Sequence, residues 1–420
     1  MSEAGARGGP HRSRLLVRDL SQLATPSGRG APLRGPSLRS VDVLEDAFVL
    51  CENGRIAAVG PMRELPALTG DVEELDGRGL SAVPGLVDCH THACFAGDRV
   101  EEFALRASGV GYEEIHARGG GILSTVRATR AAGEAGLAAA LERHAGWMLR
   151  AGTTTFEAKS GYGLDRDTEL AQLRAVKAAG GVPTWLGAHA VPPEFADDGA
   201  GAYVDFLLAE VLPDAARLAE AADVFLERGA FDAELARRYL VACRAAGLAL
   251  RLHGDQFTEA GAIPLALELG ARSVDHLEST GPEGVAALAR SDVVGVLLPA
   301  SALFLGRPMP PGRTLVAAGA AVALATDFNP GSAFCESLPL VCSLAVTQLR
   351  LTPEEALAAC TVNAAHVLGR ADRKGRLAAG FDADLVLLDA PDWRYLAYHL
   401  GGPVVHTVVR AGRVAWRTRA

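Results

Sequence analysis

The chain has 420 residues, which is enough for two or three domains or for one barrel of about 250 residues with an appended domain. Hydrophobic residues make up 49% of it, and its 47 glycines suit a compact α/β protein with many short turns. The formal net charge is −9 and no polybasic run occurs, which argues against nucleic acid or an anionic membrane as a partner.

The first residues and the cysteines indicate where in the cell we expect the protein. Residues 1–14 are rich in Gly, Arg and Ser without an apolar core, so they predict a disordered tail and not a signal peptide. No apolar run reaches the roughly 18 residues needed to span a bilayer. The seven cysteines are odd in number and scattered, which predicts no disulfide framework. We therefore expect a soluble protein of the reducing cytoplasm.

Both ends of the chain have a β-like pattern. Short apolar strands are predicted between residues 15 and 80, with an Asn53-Gly54 hairpin turn among them. Similar strands are predicted over 383–388, 404–409 and 411–414. Because chain ends commonly lie close together, we expect a small β-sandwich domain built from 15–83 and 375–420.

Strands and helices alternate through the middle of the chain, residues 84–374. We predict strands at 86–87, 153–157, 183–190, 223–227, 248–252, 273–276, 293–298 and 321–325, and helices at 133–150, 167–179, 201–219 and 231–246. Eight strand–helix steps predict an α/β protein with a (β/α)₈ TIM-type barrel. A doubly wound sheet is the alternative, but no Gly-x-Gly-x-x-Gly or P-loop sequence supports it.

Polar side chains stand where the predicted strands end. His90 and His92 are two residues apart, so on a strand both imidazoles leave the same face. The other strand-end side chains are His189, His253, His276 and Asp327. In a barrel the carboxyl ends of all strands face one mouth, so these groups should converge there. Cys89 and Cys94 suggest a zinc finger instead, but no second closely spaced pair completes one.

Such a set suits metal chemistry. Three neutral imidazoles and one carboxylate form a site for Zn²⁺ or Fe²⁺ with room for water. A metal ion lowers the pKa of its bound water to about 7, so hydroxide becomes available at neutral pH. The residues therefore predict metal-assisted hydrolysis of an amide, an amidine or an aminated ring.

Several longer stretches carry a family resemblance. They are Asp88-Cys89-His90-Thr91-His92 with Gly97-Asp98-Arg99, Lys159-Ser160-Gly161-Tyr162-Gly163-Leu164, Gly187-Ala188-His189-Ala190-Val191-Pro192-Pro193, Asp275-His276-Leu277-Glu278, and Ala325-Thr326-Asp327-Phe328-Asn329-Pro330-Gly331-Ser332. With them the sequence resembles the amidohydrolase superfamily and, within it, the imidazolonepropionase family. The resemblance extends over roughly residues 45–415.

The resemblance implies hydrolysis of 4-imidazolone-5-propanoate to N-formimidoyl-L-glutamate, the third step of histidine degradation. It implies a metal ion, zinc or iron, on His90, His92, His253 and Asp327, and we read one ion rather than two. We hypothesise that His276 and Asp327 are the catalytic residues. The resemblance also implies a homodimer acting on a small-molecule substrate. The implied substrate contacts are Arg99, Tyr162, His189, Gln256, Asn329, Gly331 and Ser332.

Physical roles can be assigned to some of these positions. Arg99 offers a bidentate fork for the propanoate carboxylate. The glycines beside Tyr162 free the backbone to bring its hydroxyl to a ligand. We expect the turn 329–332 to aim backbone N–H groups at the new carboxylate of the product.

The general base is less direct to assign. Gln256 stands where some relatives carry Glu, and an amide accepts no proton at working pH, so it should hydrogen-bond the ring. The base is then Asp327, His276 or both. We place Lys159 on the loop after the second strand, where it cannot bridge two metal ions.

Two rival functions remain. Another amidohydrolase, such as a guanine- or cytosine-type deaminase, would share the metal ligands but release ammonia and make no use of Arg99 for a carboxylate. A barrel that has lost catalysis and serves as a scaffold is the other rival, and the four intact ligand positions argue against it.

Overall fold

The computed structural model describes residues 14–28, 30–110 and 120–418. The predicted tail at residues 1–14 lies outside them except for Arg14, which begins the first strand. The described residues form two eight-stranded sheets. Within those ranges, no helix is long and apolar enough to cross a membrane.

The first sheet begins with five strands from the amino-terminal part of the chain. They are β1 (Arg14–Pro26), β2 (Val41–Glu52), β3 (Arg55–Pro61), β4 (Glu73–Asp76) and β5 (Ser81–Pro84). The hairpin between β2 and β3 turns at Asn53 and Gly54, both with positive φ, as the Asn-Gly pair predicts.

The second sheet is parallel and forms the barrel. Its strands follow one another in chain order: β6 (Leu86–Asp88), β7 (Thr153–Lys159), β8 (Val182–Ala188), β9 (Ala221–Leu226), β10 (Ala249–Gly254), β11 (Ser273–His276), β12 (Val294–Leu297) and β13 (Val322–Leu324). Each predicted strand overlaps an observed one. Because nearly every strand residue is buried, the strands are continuous apolar runs interrupted only by the polar side chains of the site.

The carboxyl-terminal strands complete the first sheet. They are β14 (Leu385–Leu388), β15 (Val405–Arg410) and β16 (Arg413–Arg417), and β14 pairs antiparallel with β5. The strand order β16-β15-β14-β5-β1-β2-β3, with β4 beside β1, makes one continuous hydrogen-bonded sheet from both chain ends. The predicted association of the two termini is confirmed.

The barrel closes in an unusual way between its first and last strands. Among the described residues, β6 and β13 share no ladder. They are joined just beyond their carboxyl ends, where Asp327 N–H donates to the His90 carbonyl (3.0 Å) and His92 N–H donates to the Phe328 carbonyl (3.0 Å). Below this point the Asp88 carboxylate accepts a hydrogen bond from the Thr326 hydroxyl (2.6 Å). We call this junction the seam.

Helices cover the outside of the barrel. The α-helices are Val100–Ala107, Ile122–Arg150, Arg166–Ala178, Gly199–Phe206, Leu212–Leu218, Ala233–Ala245, Ala262–Leu269, Pro282–Ala289, Pro299–Phe304, Gly312–Ala318, Leu338–Thr347, Pro353–Ala358, Ala364–Val367 and Tyr395–Tyr398. Turns of π-helix lie at Leu207–Val211 and Ala359–Asn363, and 3₁₀ turns at Gly35–Arg39, Met62–Glu64 and Pro193–Phe195.

The long helical stretch before β7 consists of two helices. It runs from Ile122 to Arg150, but Gly133 has φ of 62° and ψ of 177°, which are not helical angles, so one helix ends there and the next begins. The second helix agrees with the predicted 133–150. The sequence analysis missed the first helix, whose Val126 and Thr129 are buried.

A buried asparagine ties the amino-terminal segment to the barrel. The Asn363 side chain accepts a hydrogen bond from Leu33 N–H (2.7 Å) and donates to the carbonyls of Leu33 (2.9 Å) and Val322 (2.8 Å). Val322 is the first residue of β13, so this contact holds the terminal segment at the amino end of the last barrel strand. Such a fully bonded amide fixes the relative position of the two parts.

Candidate metal centre and substrate cavity

The strand-end side chains meet at the carboxyl-terminal mouth of the barrel. The Nε2 atoms of His92 and His253 are 3.2 Å apart. Asp327 Oδ1 lies 3.5 Å from His92 Nε2 and 3.6 Å from His90 Nε2. The structure therefore brings together the four residues that the sequence suggested as ligands, although the set spans more than 200 positions of the chain.

The donor atoms fit a metal ion. His90 Nε2, which faces Asp327 Oδ1, is buried and has no hydrogen-bond partner in the described structure, a costly state that a bound cation would relieve. Burial lowers the pKa of the His90 and His92 imidazoles well below the ordinary value, so both are neutral and able to bind a cation at neutral pH.

His276 lies in the same cluster. One possible ligand atom from each of His90, His253 and His276 falls within 4.8 Å of the others, as does one from each of His90, His92 and Asp327. His276 also lies beside Glu278, with 3.5 Å between its Nδ1 and the carboxylate. Burial lowers the pKa of His276, but the carboxylates of Glu278, Asp327 and Asp275 together outweigh burial and raise it.

Two buried carboxylates orient the ligand histidines. Asp275 Oδ2 lies 2.5 Å from His90 Nδ1, and Asp223 Oδ1 lies 3.1 Å from His253 Nδ1. A carboxylate at Nδ1 fixes the tautomer that leaves Nε2 free for a metal. The sequence analysis did not single out either aspartate, although each interrupts an apolar strand and is fully buried.

Lys159 corrects a prediction. We placed it on the loop after the second strand, but it is the last residue of β7 and its side chain is completely buried inside the barrel. Its ammonium lies 2.7 Å from Glu157 and 2.8 Å from Asp223. We expected a solvated loop because the lysine ends an apolar run. In the structure its charge is instead balanced by buried carboxylates, which keep the side chain in the interior.

A cavity of about 740 Å³ opens above the ligands. All seven predicted substrate contacts line it: Arg99, Tyr162, His189, Gln256, Asn329, Gly331 and Ser332. Further wall residues that the sequence analysis missed include Arg106, Arg228, Phe257 and Arg307. They lie in loops or, for Arg106, in a helix beyond the strand ends, so no periodic pattern in the sequence distinguishes them.

Arg99 is held against the wall of this cavity. Its Nε donates to the Thr125 hydroxyl (3.0 Å), and its Nη1 lies 3.6 Å from the Glu102 carboxylate. The guanidinium covers Gly331 so closely that a Cβ atom there would lie 2.5 Å from Arg99 Nη1. A side chain at position 331 would therefore have to displace the guanidinium from its place.

A single buried carboxylate shapes the loop that carries Tyr162. Glu169 accepts hydrogen bonds from the backbone N–H groups of Gly161 (3.0 Å), Gly163 (2.9 Å) and Leu164 (3.0 Å). Gly161 has φ of 99°, so the predicted conformational freedom is used there. Burial raises the pKa of Glu169 to about 7.

The turn at 329–332 differs from its prediction. The N–H groups of Gly331 and Ser332 both donate to Asn329 Oδ1 at 2.8 Å, so they do not point at a ligand. The Ser332 hydroxyl lies 3.4 Å from Asp327 Oδ2. The asparagine side chain competes for the N–H groups of its own turn, as Asx side chains commonly do.

His189 completes the cavity wall near the ligands. Its ring stacks on His92 with 5.2 Å between centroids, and its Nδ1 lies 2.9 Å from the Gly161 carbonyl. Burial lowers its pKa to about 3. It is therefore a neutral hydrogen-bonding group at neutral pH.

Comparison with known proteins shows which family has this fold and these residues. The model of the amidohydrolase family matches residues 81–415. An imidazolonepropionase of Rubrobacter xylanophilus is 62% identical over 408 residues, which cover 95% of this chain and 97% of that protein. An imidazolonepropionase of Deinococcus radiodurans is 48% identical over 406 residues, covering 95% and 99%.

Solved structures of lower identity share the fold. The guanine deaminase of E. coli superposes with a TM-score of 0.66 at 15% identity, covering 96% of this chain and 100% of that one. A zinc-bound adenosine deaminase of Xanthomonas campestris gives 0.67 at 19%, covering 96% and 92%. The full-length relatives and the family match together show that the chain belongs to the amidohydrolase family and, within it, to the imidazolonepropionases.

Proposed function

We propose that the chain hydrolyses 4-imidazolone-5-propanoate to N-formimidoyl-L-glutamate, the third step of histidine degradation. The observation that carries this proposal is the 62% identity to an imidazolonepropionase along 95% of the chain. In the reaction, the ring amide C–N bond breaks, water oxygen adds to the carbonyl carbon, and the released nitrogen gains a proton. The carbonyl carbon becomes the new carboxylate, and no ammonia forms.

His90, His92, His253 and Asp327 would hold one metal ion, zinc or iron. Such an ion lowers the pKa of a coordinated water to about 7 and so supplies hydroxide near neutral pH. The imidazoles and the buried aspartate support this assignment, because they are the donors that both metals accept.

The cavity wall would hold the substrate. Arg99 binds the propanoate carboxylate with its guanidinium fork, and Thr125 orients that fork from behind. Gln256, Tyr162 and His189 contact the ring through hydrogen bonds. Asn329, Gly331 and Ser332 form the adjoining wall, where the Asn329 amide donates to the Ser332 hydroxyl (2.8 Å).

Proton transfer would involve His276 and Asp327. Gln256 carries no group that accepts a proton at neutral pH, so Asp327, His276 or both take the proton from water and return it to the leaving nitrogen. His276 also lies in position to polarise the ring carbonyl, with Glu278 beside its Nδ1. We further infer that the enzyme is a cytoplasmic homodimer.

The test is an assay with freshly prepared imidazolonepropanoate. Its ultraviolet absorbance should disappear with formation of a glutamate derivative and without free ammonia. Ammonia release from guanine or cytosine, with no turnover of imidazolonepropanoate, would instead indicate a deaminase. Elemental analysis of the same preparation should find about one zinc or iron per chain.

A further inference from the structure

A lysine inside the barrel links the supports of two ligand histidines. Lys159 Nζ lies 2.8 Å from Asp223 Oδ2 and 3.9 Å from Asp275 Oδ2. These two aspartates are the ones that contact His253 and His90 through Nδ1. One aspartate therefore separates the ammonium from each ligand histidine, and the ammonium lies on the side of these histidines that faces away from the cavity.

Lys159 is not needed merely to neutralise the nearest carboxylate. Glu157, 2.7 Å from Lys159 Nζ, also receives Arg251 Nη1 at 2.7 Å and Thr91 N–H at 3.0 Å. Asp223 has no such second cation. Among the described residues, Lys159 is the only lysine or arginine within ion-pair distance of it.

Lys159 also does not touch the substrate cavity, whose lining does not include it. Its side chain is entirely buried, as are those of Asp223 and Asp275. A buried ion pair is costly to form and is retained where it fixes a specific geometry. The geometry available here is the orientation of two carboxylates that face ligand imidazoles.

We propose that Lys159 is a positioning residue: it holds Asp223 and Asp275 in place so that His253 and His90 turn their Nε2 atoms toward one metal ion. This rests on the metal centre of the proposed function. The ammonium acts on the metal only through the chain Lys159–carboxylate–imidazole. Its removal should therefore weaken metal binding without removing any ligand.

The experiment is chelator competition on the zinc-loaded full-length protein, comparing Lys159→Met with Arg251→Met. Arg251 is the matched control for the route through Asp223, because it is an equally buried cation that bonds Glu157 and the Cys89 carbonyl and lies outside ion-pair distance of both aspartates, although its charge also acts on Asp275. We expect Lys159→Met to bind zinc at least about tenfold more weakly, as loss of an outer partner does elsewhere. Arg251→Met should lose less than about threefold, while thermal unfolding reports its effect on stability.

A double-mutant cycle identifies the route. If Lys159 acts through Asp223, Lys159→Met should weaken zinc binding much less in an Asp223→Asn background than in the wild type. Should Lys159→Met not fold, Lys159→Gln, which keeps N–H donors without the charge, enters the same comparison.

Three results are decisive. Equal losses in the Lys159 and Arg251 variants, or wild-type affinity in the Lys159 variants, would overturn the positioning role. An undiminished effect in the Asp223→Asn background would exclude the route through Asp223. A wild-type protein that binds no metal at all would instead refute the metal centre itself, so the two failures are distinguishable.

Discussion

The metal side and the substrate side of the cavity are built differently. The ligand histidines stand on or directly after barrel strands, and buried carboxylates from neighbouring strands hold their rings. The substrate side consists of loops, each shaped by one internal side chain: Glu169 for the Tyr162 loop and Asn329 for the turn after β13. In the proposed function, the pairing register of the barrel strands therefore sets the positions of the metal ligands. The loops set substrate specificity, and they can change without disturbing the barrel.

Removing a metal-side ligand should have the largest effect. Asp327→Ala should lower turnover by about a thousandfold or more, because metal-assisted activation contributes several kcal/mol. Metal content should fall in parallel by elemental analysis. Asp255→Asn is the control: Asp255 is a neighbouring buried aspartate whose carboxylate accepts from Thr280 outside the cavity lining, and this variant should remain active. Full activity of Asp327→Ala would refute the ligand assignment.

The corresponding change on the substrate side should leave the metal in place. Arg99→Ala should raise KM about a hundredfold, equal to about 3 kcal/mol, with little change in kcat, since it removes binding present in both ground and transition states. Arg99→Lys keeps the charge but lacks the planar fork, so it should recover only part of the loss. A collapse of kcat with unchanged KM would contradict this role.

The carboxylate of Glu169 should make the free energy of unfolding depend on pH. The pKa of Glu169 is raised to about 7, so the folded protein binds this proton more tightly than the unfolded chain does. Its stabilising contribution is complete below the unfolded pKa and is lost as pH rises toward 7. Relative to Glu169→Gln, the wild type should thus lose roughly 3 kcal/mol of unfolding free energy between pH 4 and pH 8. Denaturant titrations of both proteins at these pH values measure this, and parallel pH profiles would exclude it.

A single methyl group tests the fit of Arg99. Gly331→Ala places a Cβ atom against the guanidinium, which can shift because it is the far end of a flexible side chain. We expect KM to rise about tenfold, equal to about 1.4 kcal/mol, with an unchanged melting temperature. Gly201→Ala is the control, since nothing lies within 4 Å of its added methyl group. Equal kinetics in both variants would show that Arg99 needs no such fit.

Sequence reasoning reached the metal side more directly than the substrate side. His253 and Asp327 were predictable because each ends an apolar strand, and a barrel brings strand ends together. Lys159 was misplaced because a buried charge network breaks the rule that polar residues mark loops. The role of Asn329 was missed because sequence does not show which acceptor an N–H group will find. Arg99 was recognised only through family resemblance, since a loop arginine carries no pattern of its own.

A metal ion at the proposed site would also join the two ends of the barrel sheet. Two proposed ligands, His90 and His92, follow the first strand of the barrel and a third, Asp327, follows the last, and among the described residues these strands share no ladder of their own. A cation bound by all three would therefore crosslink the first and last strands. Removing the metal ion with a chelator should weaken the contact between the first and last strands. Amide hydrogen exchange should therefore become faster at residues 90–92 and 326–328 before it does on the opposite side of the barrel.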